Sequence, residues 1–531
     1  MKNKKLNSRL LVTAITAGTI AGYGNTGSIV AGAASEEGVT TTSIGTYTVD
    51  NPYHLVFEYC EVSDTDADAR AAVEAAVNEY MIPNYQIEVE FLPMSIADYY
   101  ANTPLMLSSG EELDVLPIMF STASSWLSMG GILDLAPYMD SEEGQKIIEA
   151  LGDEETAYAA TCNGVLFGFP ANKEFYSNRG FLLRADICDE LGFTEKYNLD
   201  RPDADIYDGT GISWEDEEAM LVAVKEAYPD MTAFYLSTTA KADLLFDLLD
   251  DGFGVLDMVA DREGTTVVNM YETEQYREHV KRMADWYDKG YIYKDAATGS
   301  TRADEMMRAG NTFSYPTNIV PGALIGTNIS NGCKCYLVHR EPEKKGFITT
   351  SDVSFMNAGI ATQSKDPEMA FKFISALYSD PTLFNLWQFG IEGVHYQLLE
   401  DGTAYYVEGE NASNYKYHQN SGWQMGDQFK GLVWNDGTAG PDYWDALKEH
   451  NQKGDRSPVY GFRWDSTEYS TELTALNAIK EQYIYQLETG TCGSDNVDDL
   501  LEEFNEALYN VGLQDIMDAK QAQIDAWLAA K

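Results

Sequence analysis

The sequence predicts an α/β protein built from two lobes. Short apolar strands at 54–59, 86–92 and 113–118 alternate with helical segments at 67–80 and 96–108. A strand and a helix in about 30 residues is typical of βαβ units and a parallel sheet. With 531 residues, the chain exceeds the size at which a single core keeps growing. Its 44% hydrophobic and 12% aromatic content excludes a disordered or fibrous class.

The N-terminus has the pattern of a signal peptide. Four basic residues precede a short apolar segment at 10–22, and Ala31-Gly32-Ala33 follows as a small-x-small cleavage site. We therefore expect residues 1–33 to be removed on export. Residues 34–50 are rich in Ser, Thr, Gly and Glu, which predicts a flexible tether. The expected location is extracellular, at the cell surface or in a periplasm.

The charge balance is strongly acidic. Lys and Arg number 36 against 85 Asp and Glu, for a net charge of −49. A field of this sign repels phosphate backbones, so we expect no nucleic-acid partner. Solubility outside the cell is one interpretation of the charge. Attraction of a cationic ligand, such as an amino sugar or a basic peptide, is another.

The cysteines and acidic clusters give no clear metal site. Cys333, Cys335 and His339 would share one face of a strand, but they lack a fourth ligand and the spacing of known zinc sites. Asp64, Asp66 and Asp68 have the spacing of the first ligands in a calcium-binding loop. The Gly and the Glu that such a loop requires at its later positions are absent. The acidic cluster at 200–209 is either a calcium loop or a solvated insertion. We predict no metal and no cofactor, and six cysteines leave one or two disulfides open.

The middle of the chain continues the alternation. The segment 164–170 follows a helix. By the family resemblance described below, it would be a strand that carries the chain from the first lobe into the second, and 180–186 would be a further strand. Ser213 is the expected N-cap of a helix that runs to Tyr228. A further helix is predicted at 276–287, where the apolar residues share one face.

Residues 357–396 have the clearest local signals. An apolar strand is followed by two helices that begin at Asp366-Pro367 and Asp380-Pro381, where Asp caps and Pro occupies the first helical position. Trp387 falls on the inward face of the second helix, so we expect it in a core. Before this stretch, 353–358 is the predicted return crossover. After it, residues 402–409 predict a hairpin.

The C-terminal residues 461–531 predict three amphipathic helices. Their apolar residues recur at helical spacing, and Gly490 and Gly512 are the expected C-caps. Residues 462–464, which precede the first of these helices, are expected to form a third hinge segment.

Several of these segments carry a family resemblance. They are Asn357–Tyr396, the Gly164–Pro170 strand, 308–321, the Trp423–Phe429 motif and Gly461-Phe462-Arg463-Trp464-Asp465. In this order the chain resembles family 1 extracellular solute-binding proteins of carbohydrate ABC importers, and the subgroup with a distinctive C-terminal helical module. Two positions depart from the family pattern. Asp427 stands where an amide is usual, and Tyr23 stands where lipoprotein members have their Cys after a box like Ile20-Ala21-Gly22, so lipid anchoring is not expected.

The resemblance implies a type II periplasmic-binding-protein-like fold, with each lobe a mainly parallel sheet flanked by helices and joined by hinge crossovers. Lobe 1 would comprise 51–168 and 357–395. Lobe 2 would comprise 169–356 and 396–531. The implied function is capture of an extracellular carbohydrate, expected to be an oligosaccharide, by hinge closure and delivery to the ABC permease subunits in a membrane. We expect a monomer.

Candidate ligand contacts follow from loops at predicted strand ends and from the resemblance. Aromatic rings cover the apolar face of a sugar, and carboxylates, amides and imidazoles bind its hydroxyls. The candidates are Phe120, Trp126, Asn172, Tyr176, Tyr315, Glu392, His395, Tyr396 and Trp464.

Two other functions stay open on the sequence. The six His and the lack of G-x-S-x-G and H-E-x-x-H motifs favour a receptor over an enzyme. A secreted glycosidase would need only two placed carboxylates, which 85 acidic residues could supply. A receptor for peptides or other cationic solutes would fit the acidic charge.

Overall fold

The computed structural model describes residues 47–531, except 64, 163, 412–413, 420 and 436–439, and except the side chains of 120, 325, 326 and 329. The predicted signal peptide, the box at 20–23 and the tether up to residue 46 lie outside the described residues. Tyr47 is described, and its ring lies 5.2 Å from that of Tyr53. The last predicted tether residues are therefore packed against the start of the first strand.

The first lobe is organised around a five-stranded sheet in the order β2-β1-β3-β14-β6. Strands β1, β2 and β3 are parallel, as the sequence predicts. Strand β14 (Met356–Ile360) runs antiparallel to β3 and to β6, so β6 has the same direction as the first three strands. The elements of the outgoing chain are β1 (Tyr53–Cys60), α1 (Ala67–Tyr85), β2 (Ile87–Met94), α2 (Ile96–Ser109), β3 (Val115–Met119), α3 (Phe120–Ser128), α4 (Glu142–Leu151), α5 (Glu154–Ala157), β4 (Thr161–Cys162), β5 (Val165–Leu166) and β6 (Phe169–Pro170).

The second lobe contains a four-stranded sheet in the order β12-β7-β11-β8. Its elements are β7 (Asn178–Arg184), α6 (Ala185–Glu190), α7 (Phe193–Tyr197), α8 (Trp214–Ala227), β8 (Thr232–Phe234), β9 (Phe246–Asp247), β10 (Leu256–Asp257), α9 (Glu274–Asp288), α10 (Ala303–Arg308), β11 (Thr312–Ile319), α11 (Ala323–Asn331), β12 (Cys335–His339), β13 (Phe347–Ile348) and α12 (Thr350–Val353).

The strand directions of the second sheet differ from the prediction of a mainly parallel sheet. Only β11 and β8 are parallel, and β7 is antiparallel to both β11 and β12. The strand directions follow from the point at which the chain enters the second lobe. The chain enters the lobe from the first crossover and runs outward along β7, whereas β8, β11 and β12 all return toward the crossover.

The returning chain forms the two predicted Asp-Pro helices. Asp366 accepts a hydrogen bond from the backbone N–H of Met369, and Asp380 accepts one from Thr382. Trp387 is fully buried in the first core, as predicted. The elements are β14 (Met356–Ile360), α13 (Pro367–Ser379), α14 (Pro381–Phe389), β15 (Tyr396–Leu398) and β16 (Ala404–Tyr406). Since β15 pairs with β16, the hairpin spans 396–406 rather than 402–409.

The C-terminal elements are α15 (Tyr443–Lys453), β17 (Asp455–Arg456), α16 (Ser470–Glu488), α17 (Val497–Asn510) and α18 (Leu513–Ala530). The last three are the predicted helices. They share one core with α9 and with the 245–258 segment of the second lobe, through side chains such as Leu487, Phe504 and Ile524. The C-terminal helices therefore extend the second lobe.

We keep the predicted lobe boundaries as a proposal with two changes. The segment 164–170, predicted as the first crossover, contains β5 and β6, and β6 belongs to the first sheet, so lobe 1 extends to Pro170 and the crossover follows it. The prediction assigns all of 396–531 to lobe 2, but Tyr417 and Met425 are fully buried in the core of the first sheet. The Gln424 side chain also bonds both backbone groups of Cys60. The segment around 416–425 thus packs on lobe 1 before the chain returns to lobe 2.

The polar clusters singled out in the sequence have structural partners. Asp66 caps α1, and Arg201 pairs with Asp208 at 2.6 Å. All six cysteines carry free thiols. Within the described part of the chain, no three His, Cys, Asp or Glu side chains are grouped so that they could hold a metal ion. None of the helices described there has the length and apolar character needed to cross a bilayer.

Candidate functional site

In each sheet the strands that run in a common direction have their carboxyl ends at the crossovers, and among the described strands of these sheets only β14 and β7 run the other way. In the first sheet β3 ends at Met119, which pairs with Met356 at the end of the return crossover. In the second sheet β11 ends at Ile319, which pairs with Asn178 where the first crossover ends. Parallel β8 ends at the same edge as β11. Ligands of open α/β sheets bind beyond the carboxyl ends of strands, so the candidate site lies at this edge.

Asn172 fixes the first crossover. Its backbone N–H donates to the carbonyl of Gly426, and its side-chain amide donates to the carbonyl of Ala150 and to the carboxyl of Asp427. Burial raises the pKa of Asp427 to about 6. Asn172 and Asp427 are both buried, so this pair positions the crossover and is not available to a ligand.

The return crossover is held by the predicted third hinge segment. Gly461 N–H donates to the hydroxyl of Thr350 at 2.8 Å, and Arg463 donates to the hydroxyl of Ser354 at 2.6 Å. Ser351 donates to Asp250, which has a left-handed φ of 84°. This conformation is unfavourable for a residue with a side chain, so surrounding contacts must hold the turn.

A cavity of 360 Å³ lies beside the two crossovers, and we call it the cleft cavity. Polar groups ring it, and they are Ser177, Arg179, Lys241, Asp243, Asn318, Thr349, Ser351 and Asp352. Its apolar wall consists of Ala242, Leu244, Leu245, Phe246, Leu248, Met270 and Phe347. Leu248 is 45% exposed, so part of this wall is open to a ligand.

Hydrogen bonds organise the polar ring. Arg179 donates to the side-chain oxygen of Asn318, whose amide donates to Asp243 at 2.9 Å. Lys241 pairs with Glu488 of α16 at 2.7 Å. Burial raises the pKa of Glu488, against the effect of Lys241. The cavity thus presents donors and acceptors in alternation, with charges of both signs.

A wider groove of 880 Å³ adjoins the cleft cavity and shares Lys241, Asp243 and Asn318 with it. We call it the outer groove. Tyr315, from the middle of β11, lies in its wall, and the Tyr315 hydroxyl donates to Asn331 at 3.0 Å. Arg302 and Asp304 line the same groove. Tyr315 therefore stays in the proposed site.

Three aromatic rings mark the carboxyl edge of the first sheet. Phe355 is 50% exposed and directly precedes β14. Tyr100 is 49% exposed, and its hydroxyl contacts the sulfur of Met119. Trp423 is half-buried next to Gln424, which bonds to the end of β1. These rings offer apolar faces on the lobe opposite the cleft cavity.

Tyr176 lies in a different cavity of 460 Å³. Its ring stacks on His450 with 4.0 Å between centroids, and the imidazole bonds to the Tyr176 carbonyl. Tyr207 and Pro321 also line this cavity. One face of Tyr176 is thus covered by the protein, and the residue stays in the proposed site only as a secondary contact.

Five of the sequence-based candidates do not fit a ligand contact in this structure. Trp126 and Trp464 are buried in cores. Tyr396 is buried in the small hairpin cluster. His395 accepts a hydrogen bond from the Ile391 N–H, which ties its own loop, and burial lowers its pKa. Glu392 is exposed in the same loop, and does not line the cavities described above.

Asn172, as shown above, is also a structural residue. Phe120 begins α3 at the end of β3, where a ligand contact was predicted, but its side chain lies outside the described residues.

None of the polar residues around the cleft cavity and none of the three aromatic rings at the edge of the first sheet was predicted from the sequence as a ligand contact. Asn318 and Arg179 lie in strands, and only the antiparallel pairing of β7 with β11 brings them together. Phe355 does have a sequence signal for a ligand contact. It directly precedes the predicted return strand, and a bulky aromatic residue at a strand end facing a crossover is a usable signal.

Comparisons with known proteins identify the family and the fold. The profile of the family described as bacterial extracellular solute-binding protein matches residues 75–391, and a domain of unknown function matches 458–529. A carbohydrate ABC transporter substrate-binding protein of Streptococcus pneumoniae is 24% identical over 456 residues, which cover 84% of this chain and 85% of that protein.

Solved structures show the same fold. The N-glycan transport solute-binding protein NgtS from Streptococcus pneumoniae has a TM-score of 0.72 at 20% identity, and covers 90% of this chain and 99% of its own. Its complex with Man5GlcNAc has a TM-score of 0.64 at 21% identity, with the same coverage. The two-lobed α/β class predicted from the sequence is confirmed. Because the family profile spans more than half of the 531 residues, this chain belongs to the bacterial extracellular solute-binding proteins.

Proposed function

We propose that this chain is the substrate-binding component of an ABC importer, and that it takes up an extracellular oligosaccharide at the edge where the two lobes meet. The observation that carries the proposal is the pairing of two kinds of surface. Polar groups around the cleft cavity lie on the second lobe, and exposed rings lie at the carboxyl edge of the first. Hinge closure would bring such surfaces onto opposite sides of one ligand.

This pairing suits the chemistry of sugars. A pyranose ring has C–H groups on its faces and hydroxyls around its edge, so it needs apolar plates together with donors and acceptors. Phe355 and Trp423 supply plates. Asn318, Asp243 and Arg179 supply the polar groups. The cleft cavity and the outer groove adjoin one another, which favours a chain of several sugar units over a monosaccharide.

The relatives support the carbohydrate assignment. The pneumococcal relative is a carbohydrate ABC transporter substrate-binding protein, and NgtS has been solved with Man5GlcNAc bound. From these names we infer membrane permease subunits as the partner. We also keep the predictions of export by a signal peptide, of loss of the lipid anchor and of a monomer.

We infer that the protein binds its glycan without cleaving it. The family consists of binding proteins. A glycosidase would release new reducing ends when incubated with oligosaccharides, which chromatography of the mixture detects. Intact oligosaccharides after prolonged incubation support the inference, and shortened products would refute it.

A thermal-shift screen tests the choice of ligand class. The purified protein is mixed separately with oligosaccharides, monosaccharides and basic peptides, and the unfolding midpoint is measured. We expect oligosaccharides of one type to raise the midpoint, since a ligand that binds only the folded state stabilises it. Stabilisation by basic peptides alone would instead support the cationic-solute receptor.

Phe355→Ala tests the first-lobe platform. Stacking of a sugar ring on an aromatic side chain contributes about 1–2 kcal/mol to the binding free energy. Its loss should raise the Kd for the oligosaccharide roughly tenfold. The matched control is Leu398→Ala, a truncation of a residue that is 44% exposed on the hairpin. Equal affinity of the two variants would remove Phe355 from the site.

A further inference from the structure

A small basic cavity lies inside the second lobe, behind the cleft cavity. It has a volume of 30 Å³, and four cationic residues, Arg179, Arg282, Arg340 and Lys344, line it together with two acidic ones, Glu278 and Glu341. We call it the arginine pocket. An excess of positive lining charge is notable in a chain whose net charge is −49. Around a volume this small, the excess favours a single anion over a larger ligand.

Hydrogen-bond donors without partners surround the arginine pocket. His279 is 2% exposed and lines it, and neither of its ring nitrogens has a hydrogen-bond partner among the described residues. The same holds for the buried Nε–H groups of Arg179 and Arg340. A buried donor without a partner costs about 1–3 kcal/mol, so such a group calls for a bound water or ion. Three donors around one small space point to an acceptor with negative charge.

The guanidinium groups are held by an aromatic ring and amides. Arg282 and Arg340 lie over the Trp214 ring, at 5.0 Å and 4.7 Å from its centre. Arg179 donates to Ser177 and Asn318. Glu341 is occupied by Trp214 Nε1 and by Lys344, at 3.0 Å and 2.7 Å. Glu341 Oε2 also lies 3.8 Å from Arg340 Nε, so this carboxylate offsets part of the charge of Arg340 and Lys344. Among the described residues, Arg179 and Arg282 have no carboxylate within ion-pair distance, and their charge is uncompensated at short range.

His279 itself adds a donor without adding charge. Burial, together with the nearby charges of Arg340 and Arg282, lowers the pKa of His279 to about 3. The neutral imidazole has one N–H, which can point into the pocket. This environment also shows that positive charge already dominates around the ring.

We propose that the arginine pocket binds one small anion of halide size, held by Arg179, Arg282, Arg340 and the His279 N–H. The site is distinct from the oligosaccharide surface, but the two adjoin. Arg179 and His279 also line the cleft cavity. The same single negative charge could therefore come from the carboxylate of an acidic sugar that reaches in from the cleft, and the test separates these two sources.

The test compares thermal unfolding of the purified protein in sodium chloride and in sodium methanesulfonate at equal ionic strength. Methanesulfonate carries the same charge as chloride on a larger ion. We expect chloride at saturating concentration to raise the midpoint by about 2 °C more than methanesulfonate. Arg282→Gln should lose this increment. The matched control is Arg277→Gln on the same helix, which removes a surface charge 3.8 Å from Asp498 and should keep it.

Two further measurements identify the anion. Crystals soaked in bromide should show an anomalous peak between Arg282, Arg340 and His279, and this measurement needs no variant. Galacturonate and galactose are compared as well. Stabilisation by galacturonate alone that Arg282→Gln abolishes would support the site with a sugar carboxylate as the anion. The proposal would be overturned if the crystals show no bromide peak in the pocket and Arg282→Gln changes neither the chloride increment nor the effect of galacturonate.

Discussion

At the scale of single residues, Lys520 shows how a buried charge holds the C-terminal helices in place. Its ammonium group is fully buried and donates to Asp251 at 2.6 Å and to the carbonyls of Leu249 and Gly254. It also lies 5.5 Å from the centre of the Trp464 ring. These contacts tie α18 to the loop that presents Asp250 to the return crossover.

Lys520→Met should lower the free energy of unfolding by about 3–5 kcal/mol, because it leaves the Asp251 carboxylate buried without its partner. Chemical denaturation measures the loss. Adding Asp251→Asn should recover part of it. The control is Lys146→Met, which breaks an exposed pair with Glu142 and should change stability by about 0.5 kcal/mol or less. Equal effects of the two lysine variants would contradict this role.

Glu217 is a second buried titratable residue, in the core under the second sheet. The hydroxyl oxygen of Ser314 lies 2.7 Å from Glu217 and 2.9 Å from the carbonyl of Ala233. One hydroxyl proton can satisfy only one of these acceptors. A protonated Glu217 can donate to the hydroxyl, which then donates to the carbonyl. Accordingly, burial raises the pKa of Glu217 to about 8.

This arrangement predicts a pH dependence. In the unfolded chain Glu217 loses its proton near its ordinary pKa of about 4.3, while in the folded protein it keeps the proton to about pH 8. Between these values the folded state binds more protons, so the free energy of unfolding falls as pH rises. Glu217→Gln should flatten this decline between pH 5 and 8. The exposed variant Glu142→Gln should not, and identical slopes for wild type and Glu217→Gln would refute the assignment.

At the scale of elements, the contact between α9 and the end of α16 depends on the absence of a side chain. Gly490 follows α16 with a φ of 71°. A Cβ atom built there would lie 2.0 Å from the carbonyl oxygen of Met283 in α9. The C-cap glycine predicted from the sequence therefore has a second purpose, which is close packing of one helix end on another backbone.

Gly490→Ala should destabilise the protein by at least about 2 kcal/mol more than Gly152→Ala. Both glycines have left-handed φ values, 71° and 92°, so both alanines carry the conformational cost of about 1–2 kcal/mol. Only Gly490 also has a neighbouring backbone in the way, since Gly152 has open space. Similar midpoints in denaturant for the two variants would show that α9 and α16 can move apart freely.

Elements with local signals were predictable, and those set by long-range pairing were not. The Asp366 and Asp380 caps, the α16–α18 helices and the first three strands follow from residues close in sequence. The direction of β7 depends on where the chain enters the second lobe, which no local pattern encodes. Long-range packing also decides which predicted site residues are accessible. Tyr315 lines the outer groove and stays a prediction, whereas Trp464 packs against Lys520 and is buried.

At the scale of the whole molecule, we propose that three segments of the described chain connect the lobes at the candidate site. They are 171–177, 349–355 and 457–464, and hydrogen bonds of Thr350 and Ser354 join the second to the third. Arg456 also pairs with Asp153 and Glu155 of the first lobe. Closure of the lobes would have to bend these three segments together. Because closure makes the molecule more compact, ligand binding should reduce the radius of gyration. Small-angle scattering with saturating oligosaccharide should show this decrease, and an unchanged value would contradict hinge closure.

The most direct test of the central claim is calorimetric titration of the wild-type protein and of Asn318→Ala with the oligosaccharide selected by the thermal screen. Asn318 links Arg179 to Asp243 in the ring of the cleft cavity. We predict a Kd in the micromolar range or tighter for the wild type, about −8 kcal/mol, and binding at least tenfold weaker for Asn318→Ala. Equal affinities would contradict a glycan site in the cleft cavity, and absence of binding to any oligosaccharide would contradict the proposed function itself.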